Sequence, residues 1–323
     1  MIDLPLALAG LLGGLCVGLT GMGGGALMTP MLVLVFHVNP LAAVSTDVVA
    51  SLVMKPIGGG VHLRAGSVHT GIVRWLALGS VPAAFLGALL LRFLGEGPAL
   101  AERLQSLLGA TLLLAAGAMT VRVLLQARRS HPAAAIAQVP VRRAATVVVG
   151  AVGGLVVGLT SVGSGSLMVV LLLGLYPGLS GAALVGTDLV QAIPLVASAA
   201  VGHLIFGDLH LGLTSSLLVG CLPGVYLGAR LSSRAPDQAL RPALVAVLVA
   251  SAAKLLGAAT VLAVVGGLGL GAVTVAVTVL GAAAPRAVSS SSLLGPPALA
   301  PALSRPCGAD RAGRSSTRWR RAS

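Results

Sequence analysis

One property narrows the folds open to this chain more than any other. It is written as a succession of apolar runs, at residues 4–36, 41–61, 71–91, 104–125, 145–175, 181–206, 211–231, 239–257 and 260–283. In lipid every backbone polar group has to be satisfied within the segment itself, so runs of this kind become helices. About 20 apolar residues cross a hydrocarbon core of roughly 30 Å, and the sequence therefore specifies an all-α, polytopic helical membrane protein whose solvent is the lipid bilayer. Composition agrees, with 56% hydrophobic and 9% charged residues against roughly 25% charged in a soluble domain. Runs 4–36 and 145–175 do not fit a simple crossing. A continuous helix over the first would be about 50 Å long, so it has to tilt steeply, break or double back.

Both long runs carry the same interruption. GLCVGLTGMGGGALM at 14–28 returns as GLVVGLTSVGSGSLM at 154–168, which keeps Gly18/Gly158, Thr20/Thr160, Gly23/Gly163 and Gly25/Gly165 at an offset of 140. At an offset of 141 the chain then repeats Thr46-Asp47 as Thr187-Asp188, His62 as His203, Gly66 as Gly207, His69 as His210, Pro82 as Pro223 and Gly87 as Gly228. Matches in this order indicate two homologous repeats, each starting with a glycine-broken helix. The organisation expected is a first membrane repeat over 1–126, a cytoplasmic linker over 127–144 marked by Arg128, Arg129, Arg142 and Arg143, and a second repeat over 145–257. An additional hydrophobic segment follows at 258–284, then a basic tail over 285–323 whose Pro, Ser and Arg content predicts disorder. If each broken run crosses once, the halves are parallel; if each is a hairpin, they are inverted, and the placement of arginine-bearing loops favours the hairpin.

Breaking a helix inside the bilayer frees backbone N–H groups at a positive half-helix end, where a glycine lets an anion approach closely. The substrate site expected from this comprises Gly21, Gly23, Gly24 and Gly25 with Gly163 and Gly165 opposite, and the hydroxyls of Thr20, Thr160, Ser161 and Ser164. Thr46 and Thr187 join it from the repeated blocks. Glycines 10, 14 and 18, at four-residue spacing, are read instead as helix-packing positions. A carboxylate in the bilayer costs some 2.5 kcal/mol or more, so Asp47 and Asp188 either couple transport to protons or cap the first turn of a helix near the interface. Lys55, eight residues after Asp47 and replaced by Val196 in the second half, either attracts the anion or snorkels to the nearby surface, with snorkelling preferred.

The histidines lack a carboxylate or cysteine at ligand spacing, and Cys16, Cys221 and Cys307 form no motif, so neither a metal nor a cofactor is expected. They read as interface anchors or gate residues. The formal charge of +13 lies in loops and the tail, with almost no aromatic residues to stack on bases. That argues for membrane orientation and against nucleic acid.

GLTGMGGGALMTP at 18–30, AAVSTD at 42–47, GGGVHLRAGSVHTG at 58–71 and LGSVPAAFLGALL at 78–90 together resemble the TauE/SafE family of sulfite exporters, over about residues 5 to 257. The resemblance implies a multi-pass permease of the cell inner membrane that moves small sulfur-containing or organic anions such as sulfite or sulfoacetate. The chain departs from the pattern in setting an aspartate after the threonine in both halves, and in reading SVGSGS in the second half where the first reads GMGGGA. Two other functions stay open at this point: an intramembrane aspartyl-type enzyme using Asp47 and Asp188 as acid and base, and a passive channel. No GxGD string supports the enzyme, and the lack of HExxH removes a zinc protease.

Overall fold

A computed structural model of the protein describes residues 3–20, 24–95, 97–127, 139–231, 237–259, 265–272 and 275. The elements are α1 Leu4–Thr20, α2 Gly25–Leu34, α3 Pro40–Arg64, α4 Thr70–Leu90, α5 Gly97–Ala127, α6 Arg143–Thr160, α7 Leu167–Leu175, α8 Gly181–Phe206, α9 Leu211–Leu231 and α10 Asp237–Leu255. Among the described residues there is no strand. Six helices, α3, α4, α5, α6, α8 and α9, are long and apolar enough to cross a membrane, while α1, α2 and α10 are shorter. The chain divides after residue 284. The expected disordered tail at 285–323, most of the central linker, and Gly21 and Gly23 lie outside the described residues.

Both long runs break where the glycines cluster. In the second, α6 ends at Thr160 because Ser161 turns left-handed (φ 58°), its N–H still reaching the Val157 carbonyl. Gly163 (φ 115°) and Gly165 (φ 96°) follow. Three positive φ values within five residues cannot be helix, and a residue with a β-carbon would be strained at the last two.

Two glycine seams set the directions of the helices. Gly10, Gly14, Gly220, Gly224 and Gly228 bring α1 onto α9 with no room for a side chain: Gly220 abuts Ala7, Gly224 abuts Leu11 and Gly228 abuts Leu15. Residue numbers rise together, so α1 and α9 run parallel. Gly79, Gly87, Gly150, Gly154 and Gly158 do the same for α4 and α6, with Gly79 on Val147 and Gly87 on Leu155. The expectation that Gly10 and Gly14 serve helix packing is met.

Parallel α4 and α6 have a consequence for α7. Ser80 of α4 meets Gln191 of α8, and Val81 accepts from Ser198. Phe85 and Ala88 face Gly202. Thus α4 and α8 are parallel too. Helices α6 and α8 run the same way, and α7 between them has to bring the chain back, so run 145–175 is a hairpin rather than one crossing. Antiparallel to α8 lies α3, since Ser45 bonds His203 while Gly59 faces Leu189 and Ile193. Between the outer helices a continuous apolar core is filled by Met28, Leu32, Leu108, Leu112, Met168, Leu172, Leu184 and Leu248.

Candidate functional site

The tips of the two broken segments meet inside the bundle. Gly25, the first residue of α2, lies so close to Ser161 at the end of α6 that a methyl group on it would collide with the Ser161 carbonyl and stand 3.0 Å from Asp47 Oδ2. Ser161 Oγ donates to the same Oδ2. Gly24 adds its backbone beside Asp47 Oδ1, Ser51 and Met54. Asp47 is thereby fixed at the junction of α2, α3 and the α6–α7 turn, wholly buried. Among the described residues its Oδ1 and the buried Thr29 hydroxyl on α2 make no well-formed hydrogen bond, although Thr29 lies close enough to act on the carboxylate electrostatically.

Asp188 occupies the related place on α8 but is held differently. Gln191 Nε2 donates to its Oδ1 at 3.3 Å, and the Gly165 amide and the Arg122 guanidinium lie within electrostatic reach. Gln191 in turn accepts from Ser80 of α4 at 3.0 Å. Neither aspartate caps a helix: α3 begins at Pro40 and α8 at Gly181, whose cap is Ser180, accepting from the Ala183 amide. The capping alternative for both carboxylates is therefore incorrect.

Lys55 overturns the other local expectation. Rather than snorkelling, it is 6% exposed and turns inward, donating from Nζ to Ser164 Oγ at 2.7 Å. It lies within electrostatic reach of Asp188 and Asp47. The sequence argument went astray because it placed Lys55 by its distance from a helix end. The side chain's direction is set by which face of α3 meets the α6–α7 turn and α8, which only packing determines.

The remaining expected residues separate into two groups. Ser161, Ser164, Gly24, Gly25, Gly163 and Gly165 stand at the tips. Thr20 and Thr160 are adjacent but bond backward into their own helices, to the carbonyls of Cys16 and Val156; Thr160 also accepts from the Val162 amide. Thr46 and Thr187 point elsewhere: Thr187 accepts from the His69 amide at the start of α4, and Thr46 from Thr214 of α9. One residue along a helix is a rotation of about 100°, which carries each threonine away from the face its aspartate occupies. Gln191, Ser80 and Thr29 were missed. Arg122, which reaches Asp188 electrostatically, was missed as well; the usable signals were a charge inside the apolar run 104–125 and an isolated Gln three residues after Asp188, since i and i+3 share a helix face.

The histidines act singly. His203 is buried and bridges the helices, with Nδ1 3.0 Å from Ser45 Oγ and Nε2 2.8 Å from the Gly158 carbonyl. His62 bonds Ser67, His69 caps α4 by accepting from the Ile72 amide, and His210 pairs with Asp208.

The family profile described as Sulfite exporter TauE/SafE matches residues 6–255. The chain belongs to the TauE/SafE family. It is similar to the "Probable membrane transporter protein YjnA" of Bacillus subtilis (strain 168), with 34% identity over 259 residues that cover 79% of this chain and all of that protein. The "Probable membrane transporter protein YdhB" of the same organism is 25% identical over 231 residues, 72% of this chain and 91% of its own. No solved structure matches the sequence. This TauE/SafE member is thus a multi-pass membrane protein of a transporter family, which sets aside the aspartyl-enzyme alternative.

Proposed function

We propose that the protein is a secondary transporter of the cell inner membrane for a small anion, a sulfur oxyanion or organosulfonate such as sulfite or sulfoacetate. The observation that carries this reading is the meeting of two glycine-broken hairpins around Asp47, Asp188 and Lys55, all within 6% of complete burial. Interrupted helices that point their ends at polar groups deep in a bundle are how carriers make a midplane site. Sealing of the carboxylates favours a carrier over a continuously open channel.

Two inverted homologous repeats explain the packing economically. Helix α1 of one half lies on α9 of the other, and α6 on α4; exchanging the halves exchanges these pairs. Rocking along the glycine seams would expose the tips to one side and then the other.

Charge couples the anion to protons. Asp47 and Asp188 are offset by Lys55 and by the Arg122 guanidinium, which also reaches Asp188 electrostatically, so the cluster holds no surplus positive charge and an added anion is favoured once a carboxyl takes a proton. Asp47 and Asp188 are the coupling residues in this reading, and anion and proton assist each other's binding.

Reconstituted vesicles test it. Labelled sulfite or sulfoacetate crosses faster with the protein than without and is driven by an imposed pH gradient; Asp47→Asn abolishes the response to the gradient. Uptake no faster than in protein-free vesicles refutes the transport reading.

A further inference from the structure

We propose that Lys55 is the residue that binds the transported anion, an oxyanion group of the cargo being held at the α6–α7 tip by the Lys55 ammonium and the Ser164 hydroxyl together. The inference rests on the anion-transport reading and adds the group that recognises the charge.

Donor bookkeeping carries it. An ammonium has three N–H donors, and Ser164 Oγ takes one. Among the described residues no carboxylate comes within ion-pair distance of Nζ. Asp188, which Lys55 and Arg122 both reach electrostatically, takes its hydrogen bond from Gln191 rather than from the ammonium. A lysine kept in the membrane only to neutralise Asp188 would be expected to close on it. Here a cation only 6% exposed keeps two donors without an acceptor among the described residues, and a charge at that depth is costly.

The surroundings continue the pattern. Ser164 Oγ accepts from Lys55, so its own proton is available to a ligand. The amides of Ser164 and Ser166 donate to no backbone carbonyl, and Ser166 Oγ has no partner. Donors grouped on this turn beside an ammonium suit an oxyanion, whose several oxygens each accept. With Val196 at the position related to Lys55, the two halves supply one such lysine between them.

The test uses full-length protein in vesicles and labelled methanesulfonate, which stays singly charged across the working pH range. Wild type, Lys55→Arg, Lys55→Met, Asp188→Asn and the double variant Lys55→Met/Asp188→Asn are compared at one pH, the double variant being read against Asp188→Asn so that the loss of the carboxylate cancels. Removing a single buried charge strands its neighbour and can block folding; the double variant removes both. Expected are a wild-type elution profile for the double variant with kcat/KM at least about 30-fold below that of Asp188→Asn, and retained uptake with a raised KM for Lys55→Arg. A double variant that transports methanesulfonate at the kcat/KM of Asp188→Asn overturns the proposal, since Lys55 would then serve only as counter-charge. Failure of wild type to move either sulfite or methanesulfonate sinks the transport reading itself, a different result.

Discussion

Adjacent glycines at the first tip give a sharp test of how the site is assembled. Gly24 and Gly25 are both buried and both in right-handed helical or near-helical backbone, so replacing either by alanine introduces the same methyl with no penalty from φ. What the methyl meets differs. At Gly24 it would find the ends of side chains, Met54 Cε at 3.0 Å, Asp47 Oδ1 at 3.2 Å and Ser51 Oγ at 3.4 Å, which can yield by small rotations. At Gly25 it would overlap the Ser161 carbonyl, and backbone cannot rotate out of the way. The tips would have to part by more than about 1 Å to recover van der Waals separation. Overpacking against backbone costs about 1–3 kcal/mol, whereas Gly24→Ala should stay within about 0.5 kcal/mol of wild type. Parting the tips also stretches the Ser161–Asp47 hydrogen bond, so Gly25→Ala should lose flux as well as stability. In detergent, thermal unfolding should show a midpoint lowered by a few degrees for Gly25→Ala alone, roughly 2–4 °C per kcal/mol for a chain of this class. Vesicle uptake should fall at least about tenfold, the equivalent of 1.4 kcal/mol. Equal midpoints and equal uptake for the two variants would refute the close apposition of the hairpins.

Two other outcomes follow from the packing. Gly154→Val, which drives a branched side chain into the Ser80 backbone across the α4–α6 seam, should destabilise by about 1–3 kcal/mol or prevent insertion, seen as loss of the monodisperse peak in size-exclusion chromatography. Tyr176→Phe removes a hydroxyl that accepts from the Arg142 amide at 3.0 Å and bonds Thr146 at the start of α6; a loss of about 1–3 kcal/mol is expected, read as a lower unfolding midpoint with the anion KM unchanged.

How far the site was legible can be followed residue by residue. Gly163 and Gly165 were identifiable because a left-handed backbone position advertises itself as glycine. Asp47 and Asp188 stood out because an acid in an apolar run is expensive and therefore rare. Lys55 was noticed but aimed the wrong way. Thr46 and Thr187 were grouped with their neighbouring aspartates by adjacency in sequence, although adjacent residues on a helix face different partners.

The sequence by itself determined the class of this protein, the positions of its helices and where two of them break, because hydropathy, glycine and proline act on the chain locally and through the solvent it must live in. Helix direction and the meeting of the two tips were decided only in three dimensions, by seams such as Gly220 on Ala7 and Gly79 on Val147, where shape complementarity between segments far apart in the chain selects one register. So too with Lys55. Whether its ammonium reaches water or Ser164 depends on which surface covers it, and no property of residues 54 to 56 contains that information.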